Sequence, residues 1–403
     1  MSEPADGEAL LAVPGIEVAA VAAGIRKPDR LDLTLLRLAP AATCAAVFTR
    51  NAFQAAPVVL ARRHLQAGPP RALLINTGYA NAGTGPEGAE VAATLCAAAG
   101  KALDVPAAAV LPFSTGVIGE SLPTGPVLAA LPGLVAALRP DGWARAAQAI
   151  CTTDTRPKAI SRRVRIGGYE ATITGIAKGA GMIRPDMATM LAFIGTDLAI
   201  APGPLAELLR ETVDRSFNRI TVDGDTSTND AVCLVASGAG PALSPAAGDD
   251  WARFGEALQA VCLHLAQAIV RDGEGATRFV EIVVEDAADA REARAVADAI
   301  AHSPLVKTAC FAGDPNWGRI LAAVGRAGVE GLDISRVRLW LDEVVVVTGG
   351  GRDPAYREAD GQRVCAQSAY TIRVALGRGT AAVAVWTCDL SYDYVRINAD
   401  YRT

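Results

Sequence analysis

Positive charge is concentrated nowhere in this chain. Lys and Arg number 38 against 43 Asp and Glu, a formal net charge of −5, and no block of like charges interrupts the sequence. Basic and aromatic residues do not interleave, so nucleic-acid binding is not expected. Histidine is scarce. His64, His264 and His302 lie far apart and share no spacing pattern with cysteine, which argues against a zinc site. Eight cysteines occur without a Cys-x-x-Cys, in apolar settings such as Val232-Cys233-Leu234, the habit of free buried thiols. Long apolar runs are missing as well. Every alanine-rich stretch meets a charge, Gly or Pro before the roughly 20 residues that a membrane span needs. Residues 1–12 carry acids and no bases, unlike the start of a signal peptide. A soluble, cytoplasmic protein without membrane partners is the expectation. Two catalytic signatures are absent too, the Gly-x-Ser-x-Gly elbow and the Gly-x4-Gly-Lys-[Ser/Thr] phosphate loop, which disfavours an α/β-hydrolase or a phosphate-loop enzyme.

What remains is a core-forming sequence. With 403 residues, 51% hydrophobic and 20% charged, the chain can fill a large interior and is long enough for two domains. Short apolar strands alternate with helices in the first part. Leu73–Asn76 and Met190–Ile194 read as strands, residues 168–175 as another, and residues 88–103 as a helix. Residues 127–138 are helical in character, with a break expected at Pro132-Gly133. Leu205, Leu208, Leu209, Val213 and Phe217 recur at helical spacing, as do Phe254, Leu258, Val261, Leu265 and Ile269. From residue 279 the pattern changes to a smaller α/β domain, with strands at 280–284, 337–341, 344–347, 371–376 and 381–386 and a helix at 290–302. Residues 285–289 and Gly349-Gly350-Gly351 read as loops. The expected division is a larger domain, 1–278 with the tail 391–403 returning to it, and a smaller domain, 279–390.

The segment carrying most chemistry is Lys178-Gly179-Ala180-Gly181-Met182 followed by Ala188-Thr189 and an apolar run. A threonine hydroxyl after a small residue can attack the preceding carbonyl and break its own backbone. The freed α-amine, with an unperturbed pKa of roughly 7.7–8.0, can then serve as base for the same hydroxyl. Read without other context, Ala188-Thr189 is the start of a strand, Ser114-Thr115-Gly116 a turn, and Lys178 a solvated loop lysine. Asp223–Asp230 is rich in oxygen ligands but lacks the glycine and glutamate positions of a calcium loop, so a hydrogen-bonded turn beside the site is favoured. Gly83, Gly85 and Gly88 form a Gly-x-Gly-x-x-Gly, yet the first glycine stands well after the strand, so a loop shaping a site is favoured over a dinucleotide fingerprint.

These segments, with Asn76–Gly85, Ser114–Gly119, Val222–Asp230, Asp272–Thr277, Asp314–Arg319 and the tail Tyr394–Thr403, resemble in order and spacing the ArgJ-type glutamate N-acetyltransferases, also called ornithine acetyltransferases. The likeness runs from about residue 15 to the end. It departs at Asp186 and Tyr79, where the family usually carries Asn. The resemblance implies a mixed α/β fold, with a large αββα-type layered N-terminal-nucleophile domain and a smaller α/β domain. It implies cleavage between Ala188 and Thr189 into chains 1–188 and 189–403, with Thr189 as nucleophile. It places the oxyanion donors at Thr115 (hydroxyl) and Gly116 (backbone N–H), and the substrate contacts at Thr152, Lys178, Thr189, Glu274, Asn398 and Thr403. The implied reaction moves an acetyl group from N2-acetyl-L-ornithine to L-glutamate through an acetyl-threonine. No metal or cofactor is needed, acetyl-CoA is an optional second donor, and the assembly is a heterotetramer of two α and two β chains. A self-cleaving aminopeptidase or amidase of the same architecture and a non-catalytic binding homologue are the rival readings.

Overall fold

The computed structural model of this chain describes residues 10–184 and 190–400. Asp186, Ala188, Thr189 and Thr403 lie outside them. The chain forms two compact units. The described residues of the first fall within Met1–Gly179, Pro185–Asn218 and Asp225–Ile269, and those of the second within Ala180–Arg184, Arg219–Gly224 and Val270–Thr403.

The first unit begins with strands β1 (Ile16–Val21), β2 (Leu33–Leu38) and β3 (Thr43–Phe48), helix α1 (Ala56–Ala67), strand β4 (Ala72–Tyr79) and helix α2 (Gly85–Leu103). Strand β5 (Val110–Val117), helices α3 (Thr124–Ala136) and α4 (Trp143–Ala149) and strands β6 (Lys158–Ile166), β7 (Tyr169–Lys178) and β8 (Leu191–Thr196) follow. Helix α5 (Pro202–Asp214) precedes β9 (Ile220–Thr221), a strand of the second unit. Then come β10 (Ala231–Ala236) and helix α6 (Asp249–Arg271). Among the described residues, one sheet runs β1-β2-β4-β5 and a second runs β3-β10-β8-β7-β6.

Period-two patterning decides which layers touch. In β2 and β4 the side chains of Leu36, Leu38, Leu73 and Ile75 join Phe193, Cys233 and Val235 of the other sheet in one cluster. Phe113 of β5 meets Phe193 of β8 edge-to-face, ring centroids 5.1 Å apart. The alternate residues Leu33, Leu35 and Leu74 point the other way and cluster with Leu95 of α2 and Leu131 of α3. On the far side of the second sheet, Val261 and Leu265 of α6 come to 3.2 Å and 3.0 Å from where a side chain on Gly175 would begin, so glycine lets α6 lie close. The result is helix, sheet, sheet, helix. Strands buried on both faces read as unbroken apolar runs, which is why Leu73–Asn76 was legible.

The second unit holds β11 (Phe279–Ala287), α7 (Ala290–Ala301), α8 (Pro304–Ala312), α9 (Trp317–Gly325), β12 (Arg338–Leu341), β13 (Val344–Thr348) and β14 (Gly351–Arg352). It ends with α10 (Glu358–Cys365), β15 (Ala369–Ala375), β16 (Ala381–Cys388) and α11 (Tyr392–Ala399). The sheet order is β14-β13-β12-β15-β11-β16-β9. Its core gathers Val280, Ile282 and Val284 of β11 with Val296 and Ile300 of α7. Local capping sets the helix starts. Asp289 accepts from Glu292 N–H at 2.8 Å, Ser303 from Val306 N–H at 3.4 Å and Asn316 from Arg319 N–H at 3.2 Å. Asn316 therefore has a structural duty within its motif.

Three expectations differ from the structure. Helix α3 runs unbroken through Pro132. The proline forfeits one backbone hydrogen bond, but Val127, Leu131 and Leu134 are 3% exposed or less and hold the helix against its sheet. Phe217 leaves the helical stripe: α5 stops at Asp214, and Phe217 belongs to a separate 3-10 turn, Phe217–Arg219. Residues 285–287 extend β11 through a bulge instead of forming a loop. Within the second unit, Ser391 Oγ donates to Gly275 O at 2.6 Å. All eight cysteines are free and buried, as their apolar settings suggest. Among the described residues no helix is long and apolar enough to cross a membrane.

Candidate active site

In the first unit the parallel pair β4–β5 carries Thr115 and Gly116, in register with Thr77 and Gly78, with an irregularity where Tyr79 follows. Gly116 has φ +132°, and a Cβ there would stand 2.2 Å from the Gly78 carbonyl carbon and 2.6 Å from Tyr79 N. Only glycine fits this close approach. Buried amides tie the region from behind. Asn229 donates to Ala80 O at 2.6 Å and to Ser114 O at 2.9 Å, and Asn76 donates to Tyr79 O at 2.9 Å while accepting from Ser114 Oγ at 2.5 Å. Thr115, 7% exposed, thus sits on backbone that has little freedom to shift.

Lys178 ends β7, and its Nζ donates to Thr115 Oγ1 at 3.1 Å. A hydroxyl that accepts from a lysine keeps its own proton to donate elsewhere. Thr115 therefore keeps a proton available for a further acceptor. Asp154 joins the same cluster. Its carboxylate accepts from Thr152 N–H at 2.9 Å, Gly179 N–H at 2.7 Å and Lys158 Nζ at 2.5 Å. The side chains of Asp154 and Lys158 are 0% and 1% exposed. Burial pushes the Asp154 carboxyl up, but the charges of Lys178 and Lys158 and the Gly179 N–H outweigh it and hold its pKa at about 2. Thr152 is half-buried, and Arg30 donates to the carbonyls of Cys151 and Thr152 at 2.6 Å and 3.1 Å.

The second unit shows a matching economy. Residues 180–184 lie over Asp223, which accepts from Met182 N–H at 2.6 Å and Ile183 N–H at 2.9 Å. Met182 adopts φ +56°, uncommon for a residue with a side chain, and the Asp223 clamp holds that turn. Tyr394 of α11 also donates to Asp223, at 3.2 Å. Glu274 is 8% exposed and donates its N–H to Ala180 O at 2.8 Å. A Cβ on Gly181 would meet the Glu274 carboxylate at 2.4–2.5 Å, so the glycine makes room for the acid. Asn398 donates to Glu274 Oε2 at 2.7 Å and to Tyr394 O at 3.0 Å, which orders the tail up to that residue.

Of the residues singled out in the sequence, the structure brings Thr115 beside Lys178, joins Thr152 to them through Asp154, and puts Glu274 against Asn398. Ala188, Thr189 and Thr403 lie outside the described residues. Asp154, Lys158 and Arg30 gave no sequence signal, since a buried ion pair looks like any Asp and Lys four apart. Asp223 stands in the motif read as a hydrogen-bonded turn, but its partners Met182 and Ile183, some forty residues away, gave no sequence signal. Among the described residues no group of three or more His, Cys, Asp and Glu could hold a metal ion. The Gly-x-Gly-x-x-Gly serves packing at its last glycine: a Cβ on Gly88 would collide with Thr84 Oγ1 and Asn81 Oδ1.

The first unit is a layered α/β fold that sets the Thr115 hydroxyl beside Lys178. The ArgJ family model matches residues 17–403, and the chain belongs to that family. It is 56% identical over 396 residues to the arginine biosynthesis bifunctional protein ArgJ of Methylococcus capsulatus, covering 98% of this chain and 97% of that protein. Among solved structures it is similar to the ArgJ bifunctional protein of Bacillus halodurans, with 41% identity, 52% of this chain and 99% of that one covered, and a TM-score of 0.49. It is also similar to the ornithine acetyltransferase of Mycobacterium tuberculosis complexed with ornithine, with 34% identity, 46% and 97% covered, and a TM-score of 0.40.

Proposed function

We propose that this protein is a glutamate N-acetyltransferase of arginine biosynthesis, moving acetyl from N2-acetyl-L-ornithine to L-glutamate. Family membership across residues 17–403 is the observation that carries the reading. The Lys178–Thr115 hydrogen bond supports it chemically. In this reading Thr189 Oγ first attacks the Ala188 carbonyl, and the resulting ester is hydrolysed to leave Thr189 with a free α-amine. That amine then takes the Thr189 hydroxyl proton as Oγ attacks the acetyl carbonyl. Thr115 and Gly116 donate to the oxyanion, the C–N bond to ornithine breaks, and ornithine departs with the proton. The α-amine of glutamate attacks the acetyl ester in turn, and N-acetylglutamate leaves.

The family resemblance makes Thr152, Lys178, Glu274 and Asn398 substrate contacts; a lysine suits a substrate carboxylate, and a carboxylate suits the ornithine ammonium. The same resemblance adds Thr403 to the substrate contacts. An amide-to-amide exchange calls for no metal or redox cofactor. The bifunctional name of the Methylococcus relative supports acetyl-CoA as a second donor. Two α chains (1–188) and two β chains (189–403) form the working heterotetramer, in the cytoplasm. Intact mass under denaturing conditions tests the first step: two fragments together accounting for 41.5 kDa, one beginning at Thr189, are expected. Acetyl exchange from labelled acetylornithine to glutamate tests the second. A chain that never splits, or label released only as acetate, would overturn the reading.

A further inference from the structure

Three candidate substrate and oxyanion contacts, Thr115, Thr152 and Lys178, come from three separate stretches of the first unit. One buried carboxylate binds the backbone at two of these stretches, and Lys178 links the third. Asp154 Oδ2 accepts from the N–H of Thr152, and Oδ1 accepts from the N–H of Gly179, the residue after Lys178. Lys178 reaches Thr115. An aspartate so close to Lys178 would ordinarily neutralise it and spoil it as an anchor for an anion. Lys158 prevents that. Its Nζ lies 2.5 Å from Asp154 Oδ1, with both side chains closed off from solvent. Lys158 is the first residue of β6 and pairs with Ala177, next to Lys178, so the same strand register that ends β7 delivers this second lysine.

We propose that Asp154, with its charge balanced by Lys158, is a positioning residue that aims Lys178 and the Thr115 hydroxyl without consuming the charge of Lys178. The trio of two lysines and one aspartate keeps one positive charge for the substrate acid or the oxyanion. The carboxylate supplies direction, and Lys158 supplies the compensation that makes direction possible. Without Lys158, Asp154 would take Lys178 for itself and draw it from Thr115. The inference rests on the acetyl-transfer reading for its kinetic test but not for its geometry.

The experiment compares Asp154→Asn/Lys158→Met with the wild-type pair, in the Lys178 and the Lys178→Met backgrounds. The double change removes both buried charges together and so avoids stranding either one. Acetyl exchange is followed by mass, self-cleavage by intact mass, and folding by thermal unfolding. With Lys178 present, kcat/KM is expected to fall about tenfold or more, chiefly through KM for the acid substrate. With Lys178→Met, the same double change is expected to alter kcat/KM by less than about twofold, because the group being aimed is gone. Asp154→Glu keeps both charges and the fold but displaces the carboxylate, and should show the same dependence on Lys178. Lys158→Arg should restore near-normal kinetics. Equal losses in both backgrounds, or no loss in either, would overturn the positioning role and leave a structural ion pair. If the wild-type protein performs no acetyl exchange, the functional reading fails separately. The split between backgrounds is then read from the self-cleavage rate, where equal rates would overturn the proposal.

Discussion

Gly116→Ala tests whether the close approach of β4 and β5 exists to place an oxyanion donor. The new methyl would stand 2.2 Å from Gly78 C and 2.5 Å from Gly78 O, both backbone atoms, where contacts of 3.4 Å or more are ordinary. The strands must therefore separate locally by about 1 Å, and a misplacement of that size can lower catalysis about 10²-fold, or about 2.7 kcal/mol at the transition state. The backbone adds its own penalty. At φ +132° an L-residue is strained by about 1–3 kcal/mol, and overpacking costs about 1–3 kcal/mol more. Part of this is relieved by the same shift, so a net destabilisation of about 2–4 kcal/mol is expected. Against about 5–15 kcal/mol for a typical protein, the variant still folds. Urea unfolding and acetyl exchange, measured on the same preparation, read the two effects. A variant with unchanged midpoint and unchanged kcat would refute the argument that the glycine is demanded by this contact.

Thr189→Ala should abolish both self-cleavage and acetyl exchange, and Thr189→Ser should keep some of each; intact mass and an exchange assay check both. Thr115→Val, which keeps shape and removes the hydroxyl, should lower kcat about 10²-fold while KM changes little. Asn398→Leu should raise KM for acetylornithine by about tenfold through the freed Glu274 carboxylate, with thermal stability nearly constant because α11 buries no side chain. Acid should destabilise the fold in a window set by His302. Burial first, then Arg184, Lys307, Arg294 and Arg326, holds its pKa at about 4, below the ordinary 6.5. Between pH 6.5 and 4 the unfolded chain binds a proton that the folded chain refuses, so stability falls as pH falls. His302→Gln should flatten unfolding midpoints across that interval, and an unflattened profile would remove His302 as the cause.

Much of this protein was legible along the chain, because local chemistry reaches only a few residues. The unbroken apolar run of β4, the helical stripe of α6 from Phe254 to Ile269, and the capping residues Asp289 and Ser303 act within one turn or one strand. The order of the motifs was enough for the family. Where a neighbour decided, local reading fell short. Pro132 looks like a helix breaker until Val127, Leu131 and Leu134 are seen buried around it, and Phe217 keeps helical spacing after the helix has ended. Pairing across long intervals belongs to tertiary structure alone. Nothing near Asp154 marks it as the meeting point of Thr152, Gly179 and Lys158, and nothing near Asp223 predicts its hold on Met182 and Ile183. A buried carboxylate must find donors wherever the fold brings them, since leaving it unpaired costs more than any local preference can offset. Residue types and their order set the chemistry available; the meeting of β5, β7 and the loop before β6 decided which groups act together.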